Sequence, residues 1–211
     1  MSRIAILGAS GRLGTQLVTT ALEQGFEVSA LVRSPEKITR ANYNLTLIEG
    51  DAGSGESIQT TVERCRFVLS AMGSSKPVMA AYVRNLVQEL QAIKSLKRFV
   101  FVSWLGAGDS AMQAQAVSEL RSVITRATHK KMFEDITRAE DTIRVSRLPY
   151  VILRPTRLTD DGPTDSTVVV DSKEVPPGPI SRVDLAHFVF RMLAEPGWEG
   201  REVTVGSKAL Q

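Results

Sequence analysis

Residues 8–14 read Gly8-Ala9-Ser10-Gly11-Arg12-Leu13-Gly14, a G-x-x-G-x-x-G spacing directly after the apolar run 3–7 and at the start of a stretch with helical period. Such a turn leaves backbone N–H groups facing outward, and the positive end of the following helix dipole adds to their pull on an anion. Gly8 permits the tight turn, Gly11 lets a pyrophosphate approach the backbone, and Gly14 allows close packing of the helix. Ser10, Arg12 and Leu13 share this turn and are candidate phosphate neighbours with Gly8 and Gly11. The chemistry implied is the holding of a dinucleotide by its phosphates.

The second apolar run, EVSALV at 27–32, indicates which dinucleotide. Where a ribose 2′-hydroxyl is bound, an Asp or Glu usually stands about 20 residues beyond the glycines. This run ends instead in Arg33-Ser34, with Lys37 close behind. A carboxylate would repel a 2′-phosphate, whereas guanidinium, hydroxyl and ammonium groups hold it, so the pattern favours NADP(H). Asp51 and Ala52 close the third run, where the Asp side chain can reach an adenine amine. Ala71, Met72, Gly73 and Ser74 close the fourth, where a tight backbone passes the adenosine half.

Eight short β-rich runs must position these groups: 3–7, 27–32, 45–49, 67–72, 98–103, 150–154, 167–170 and 202–205, the last two peripheral. Helical periods fall at 12–24, 54–64, 78–95, about 115–147 and 182–194, the fourth divided near Thr128-His129. In the first of these, Leu13, Leu17, Val18, Ala21 and Leu22 make the i, i+3, i+4 stripe of a helix laid on a sheet. Several strand runs are continuously apolar, as in strands covered on both faces. The fold class expected is α/β: a Rossmann-type doubly wound parallel sheet with helices on both faces, in a single domain over 1–211. Small substrate-side elements are expected from 104–130 and 156–180, where DDGPTDS (160–166) and VPPGP (175–179) read as loops.

Composition closes off other classes. With 43% hydrophobic and 23% charged residues, the chain has ordinary globular usage. The net charge of +3 is spread without a basic block, which argues against nucleic acid as a partner. No run approaches the roughly 20 apolar residues of a membrane span. The N-terminal apolar stretch falls short of the about 7 to 15 residues of a signal peptide core. Cys65 stands alone, which excludes an internal disulfide and fits a reducing, cytoplasmic setting. The two histidines, His129 and His187, lack a carboxylate or thiol cluster, so no metal site is expected. His129 reads as a solvated helix residue, and Asp109 and Asp135 are given no role.

The motif order GASGRLG, LVRSPEK, GDA, VLSAMG, RFVFVSWLGAG and AEDTIRVSRLPYVILRPTRL resembles the atypical short-chain dehydrogenase/reductases. Within that group it is most similar to NADPH-dependent flavin reductases, including biliverdin reductase B, and to NmrA-like proteins. Most of the superfamily relies on a Tyr-x-x-x-Lys pair. Here Tyr43, Tyr82 and Tyr150 are followed four residues later by Leu47, Leu86 and Arg154. Counting back from Ala139-Glu140, the pair's positions hold Met132 and Ile136. The resemblance implies hydride transfer from NADPH to a planar conjugated acceptor, flavin or tetrapyrrole-like, with proximity carrying the catalysis and solvent supplying the proton. It places Ser103 near the nicotinamide as the catalytic candidate, Trp104 on the acceptor's apolar wall, and Pro155 and Thr156 beside the nicotinamide amide. Arg154 is read as architectural. The NmrA-like branch implies the alternative, a non-catalytic NADP(H) sensor acting through a protein partner, or a scaffold.

Overall fold

The computed structural model describes residues 2–38, 42–108, 129–171 and 173–208. Its strands are β1 (Arg3–Leu7), β2 (Glu27–Val32), β3 (Leu45–Glu49), β4 (Phe67–Ser70), β5 (Arg98–Val102), β6 (Tyr150–Pro155), β7 (Leu158–Thr159), β8 (Thr167–Asp171), β9 (Ile180–Ser181) and β10 (Arg201–Ser207). The helices are α1 (Arg12–Glu23), α2 (Gly55–Val62), α3 (Met79–Gln91), α4 (Lys130–Val145) and α5 (Arg182–Ala194), with a 3-10 turn at Pro35–Lys37.

Strand alternation builds the layers. Along β1, Ile4 and Ile6 face one side of the sheet while Ala5 and Leu7 face the other, and both sets are wholly buried. The first side is covered by α1 and α5, through Leu17, Val18, Leu185 and Val189. The second is covered by α2, α3 and α4, through Ile58, Val83, Leu86, Ile136 and Ile143. Continuous apolar runs in the central strands thus follow from their burial on both faces.

The eight-stranded sheet runs β3-β2-β1-β4-β5-β6-β10-β8, parallel throughout except for β8, which pairs antiparallel with β10. The strand order reverses between β1 and β4, so the crevice beyond their C-terminal ends is the switch point where such sheets bind ligands. The turn after β1 and the loop after β4 both open there.

Several boundaries differ from the sequence reading. β4 stops at Ser70, so Ala71 and Met72 belong to the loop, and β5 stops at Val102, leaving Ser103 just beyond it. The helix read over 78–95 ends at Gln91. β7 and β9, at two residues each, form a separate parallel pair that the strand reading did not include, flanking the segment where small substrate-side elements were expected. Asp135, assigned no role from the sequence, has one: its carboxylate accepts the N–H groups of Met79 (2.6 Å) and Ala80 (3.3 Å). α3 lacks a side-chain cap from its own N-cap residue, Val78, and Asp135 supplies that cap from α4. The outer helix expected ahead of Thr128, and Asp109 with it, lie outside the described residues. Among the described residues, no helix is long and apolar enough to cross a membrane.

Candidate functional site

At the switch point lies a cavity of about 510 Å³. The turn after β1 gives it Gly8, Ser10 and Gly11, and the end of β2 gives Leu31, Val32, Arg33 and then Lys37. Gly50, Asp51 and Ala52 come from the end of β3, and residues 71–76 with Val78 and Tyr82 from the β4–α3 side.

Gly8 has φ +78°, and a Cβ there would sit 2.7 Å from the Ala71 carbonyl oxygen and 2.9 Å from the Met72 nitrogen. The turn is therefore pressed against the end of β4, which only glycine permits. Gly11 is the N-cap of α1, no side chain caps that helix, and its first turn has no acidic residue. The first-turn N–H groups are consequently left to an external anion, reinforced by the helix dipole. This backbone cradle, with cations beyond it, fits the phosphates of a dinucleotide.

The charges that line the cavity beyond the glycine turn are unequal. Arg33, Lys37 and Lys76 line it, against one lining carboxylate, Asp51, among the described residues. Asp51 Oδ1 accepts the Gly53 N–H at 2.7 Å. Burial, then the charge of Asp51 and a hydrogen bond to it, push the Tyr82 phenol above its ordinary value, with Arg33 opposing. Tyr82 thus remains a neutral hydroxyl beside Asp51.

Of the sequence-predicted residues, Gly8, Ser10, Gly11, Arg33, Lys37, Asp51, Ala52, Ala71, Met72, Gly73 and Ser74 meet in this cavity. The others do not line it. Leu13 is in the core on the α1 side, so only its backbone is available. The Arg12 guanidinium pairs with Asp160, whose carboxylate is also held by Arg182 at 2.6 Å. Ser34 stands at the N-cap of the 3-10 turn, with no cap hydrogen bond from its side chain. Pro155 is buried at the end of β6, while Thr156 donates its N–H to Val205 (2.8 Å) and its hydroxyl to Gly178 (2.9 Å). Ser103 is buried and donates its hydroxyl to Glu140 Oε1 at 2.6 Å.

Trp104 stands with Met79, Met132 and Ile136 around a narrow crevice that Ser74 and Lys76 share with the main cavity. Its ring meets Phe133 edge-on, with centroids 5.9 Å apart. Below Ser103, the Arg154 guanidinium grips Glu140 through two contacts, 2.9 and 2.7 Å, and reaches Glu202 at 2.8 Å. Arg144 completes this cluster on Glu202 and Glu140. The architectural reading of Arg154 agrees with that geometry.

The sequence reading missed Lys76, Tyr82 and Ser75. Lys76 had a usable signal, a cation within six residues of a strand end at the switch point. Tyr82 had none, because Asp51, its partner, is distant in sequence and the helix pattern makes it an ordinary flank residue.

Fold and cavity together put the chain among Rossmann proteins that bind dinucleotides at the switch point. Sequence comparison makes this specific: the chain belongs to the NAD(P)H-binding family, whose pattern matches residues 8–196. It is 27% identical over 203 residues to probable pinoresinol-lariciresinol reductase 3 of Arabidopsis thaliana, covering 92% of this chain and 64% of that protein. The chain spans between about a third and two thirds of the length of the first curated relatives it matches. Among solved structures, the anaerobilin reductase of Escherichia coli O157:H7 superimposes with a TM-score of 0.85 at 23% identity, over 100% of this chain and 99% of that one. A short-chain dehydrogenase/reductase of Veillonella parvula DSM 2008 in complex with NADP gives 0.79 at 20%, over 98% and 94%. At these identities the structural likeness is one of fold.

Proposed function

We propose that the chain is an NADPH-dependent oxidoreductase that passes hydride to a flavin or a similar conjugated ring. The observation that carries this reading is the acceptor side of the site. Where a Tyr-x-x-x-Lys pair would act, Met132 and Ile136 line an apolar crevice with Trp104. Ser103, just beyond the end of β5, has its proton directed to Glu140. A ketone or alcohol substrate needs a protein acid or base there. A conjugated ring accepts hydride without one, provided it is held flat against the donor, and the proton then comes from solvent.

When bound, NADPH supplies the hydride. The first-turn N–H groups of α1, with Ser10 and Gly11, hold its pyrophosphate, and Arg33 and Lys37 hold its 2′-phosphate. Asp51 and Tyr82 face the adenine end. Trp104 provides the flat apolar surface for the acceptor. The solved likeness in complex with NADP and the reductases among the chain's relatives accord with this reading.

The test is loss of nicotinamide absorbance with FMN as acceptor, using NADPH beside NADH. Turnover with NADPH and little with NADH is the expected result. Tight NADPH binding without turnover on any flavin or linear tetrapyrrole would remove the enzyme reading and leave the sensor. Arg33→Ala is expected to weaken NADPH binding by roughly 1 to 3 kcal/mol, about 5- to 150-fold, while NADH affinity changes little. An unchanged NADPH/NADH ratio in calorimetric titration would show that Arg33 does not hold the 2′-phosphate.

A further inference from the structure

Lys76 occupies the junction of the two hollows. It is an exposed residue of the loop between β4 and α3, and it lines both the dinucleotide cavity and the crevice beside Trp104. The loop is tied locally, the Lys76 N–H donating to Ser74 Oγ at 2.9 Å and its carbonyl accepting the Val78 N–H at 2.9 Å. Its ammonium makes no salt bridge among the described residues.

The crevice it overlooks is otherwise apolar apart from Ser74 and Asp135. Asp135 is engaged by the first-turn N–H groups of α3, so it belongs to that helix end. The 2′-phosphate already has Arg33 and Lys37 on the β2 side of the cavity. A cation at the junction of the two hollows is thus additional to the pair on the β2 side. Its chemistry calls for a second anion, one carried by the acceptor.

We propose that Lys76 is a specificity-determining residue that selects conjugated ring acceptors bearing a pendant anionic group, a phosphate or a carboxylate, over neutral rings of the same shape. This rests on the hydride-transfer reading above. The ring packs against Trp104 by apolar contact, and the charged arm extends toward Lys76, where a charge-assisted contact holds it.

FMN and riboflavin present the same ring with and without a phosphate, so their kcat/KM ratio reads the contact directly. The wild-type protein is expected to favour FMN, and the preference should shrink as ionic strength rises. Lys76→Ala should lower the FMN/riboflavin ratio about fivefold to tenfold, and Lys76→Arg should retain most of it. A ratio unchanged in Lys76→Ala overturns the proposal while leaving the reductase reading intact. So does a weakened NADPH affinity with an unchanged ratio, which would make Lys76 a cofactor residue. Absence of turnover on both flavins by the wild-type protein would overturn the reductase reading, and this proposal with it.

Discussion

Arg154→Ala is expected to lower the stability of the protein by about 3–5 kcal/mol. For a chain of this size that corresponds to a fall in Tm on the order of 10 °C, readable by calorimetry or by the urea midpoint. Arg154 and Glu140 are both fully buried, and three hydrogen bonds fix the guanidinium to Glu140 and Glu202. Removing the guanidinium strands the Glu140 carboxylate in the interior with Arg144, at 3.1 Å, and Ser103. The loss measures that stranded charge more than the worth of the pair. Nη1 of Arg154 is itself buried with no partner among the described residues, which is a standing cost. Replacing both residues by leucine should therefore recover much of the loss. A single variant within about 1 kcal/mol of wild type would mean that the cluster is solvated or rearranged.

The same cluster sets an acid limit. Burial alone would raise Glu202, but hydrogen bonds from Arg144 and Arg154 hold it below its usual 4.5. A carboxylate depressed in the folded state contributes stability that is present above its unfolded value and lost as pH falls through the folded one. Wild-type stability should thus decline as pH drops below about 4.5, and Arg154→Ala should flatten that decline because one of the two guanidiniums is gone. An acid limb equally steep in both proteins would assign the decline to other groups, Asp184 first among them. Burial would raise Asp184, but the hydroxyl and N–H of Thr164 hold it below its usual value.

What could be read from the sequence follows from which interactions are local. All eight strands of the main sheet were legible: central ones such as β1 as unbroken apolar runs, because both faces are buried, and edge strands such as β3, with Thr46 and Glu49 exposed, as short β-rich runs. Their ends were less so: Ala71 and Met72 are as apolar as the strand before them, yet leave it because Gly8 packs against their backbone. The pair β7–β9 was invisible, since two residues per strand carry no period and their partner lies about 20 residues away. In the site, the glycine turn, Arg33 and Asp51 are each placed by a strand end, so spacing was enough to find them. Tyr82 faces Asp51 only once α3 has docked. The Glu140–Arg154 pair joins α4 to β6, and Ser103 donates its hydroxyl to Glu140 from beyond β5, contacts between distant positions that leave no local pattern.

The glycine turn yields the second large effect. Gly14→Ala is expected to abolish useful NADPH binding, raising Kd by at least about a hundredfold, while the sheet still forms. The position looks innocuous, an α-helical residue two places into α1, where alanine is ordinarily the better helix former. Space decides otherwise. A Cβ on Gly14 would overlap the carbonyl oxygen of Gly8 and stand 2.8 Å from Ala9 Cα, so the helix packs directly on the backbone of its own phosphate turn. Backbone cannot swing aside as a flexible side chain does, and the turn must lift. Lifting it moves Gly8 off Ala71 and turns the first N–H groups of α1 from their common target. Each N–H withdrawn from an anion costs about 1.5–3 kcal/mol. Overpacking should also cost about 1–3 kcal/mol of stability, so circular dichroism must accompany the titration. Gly162→Ala is the matched control, since a Cβ there meets nothing within 4 Å. If Gly14→Ala binds NADPH within threefold of that control, the turn is more pliant than its packing implies. The first-turn N–H groups of α1 would then not be what holds the phosphates.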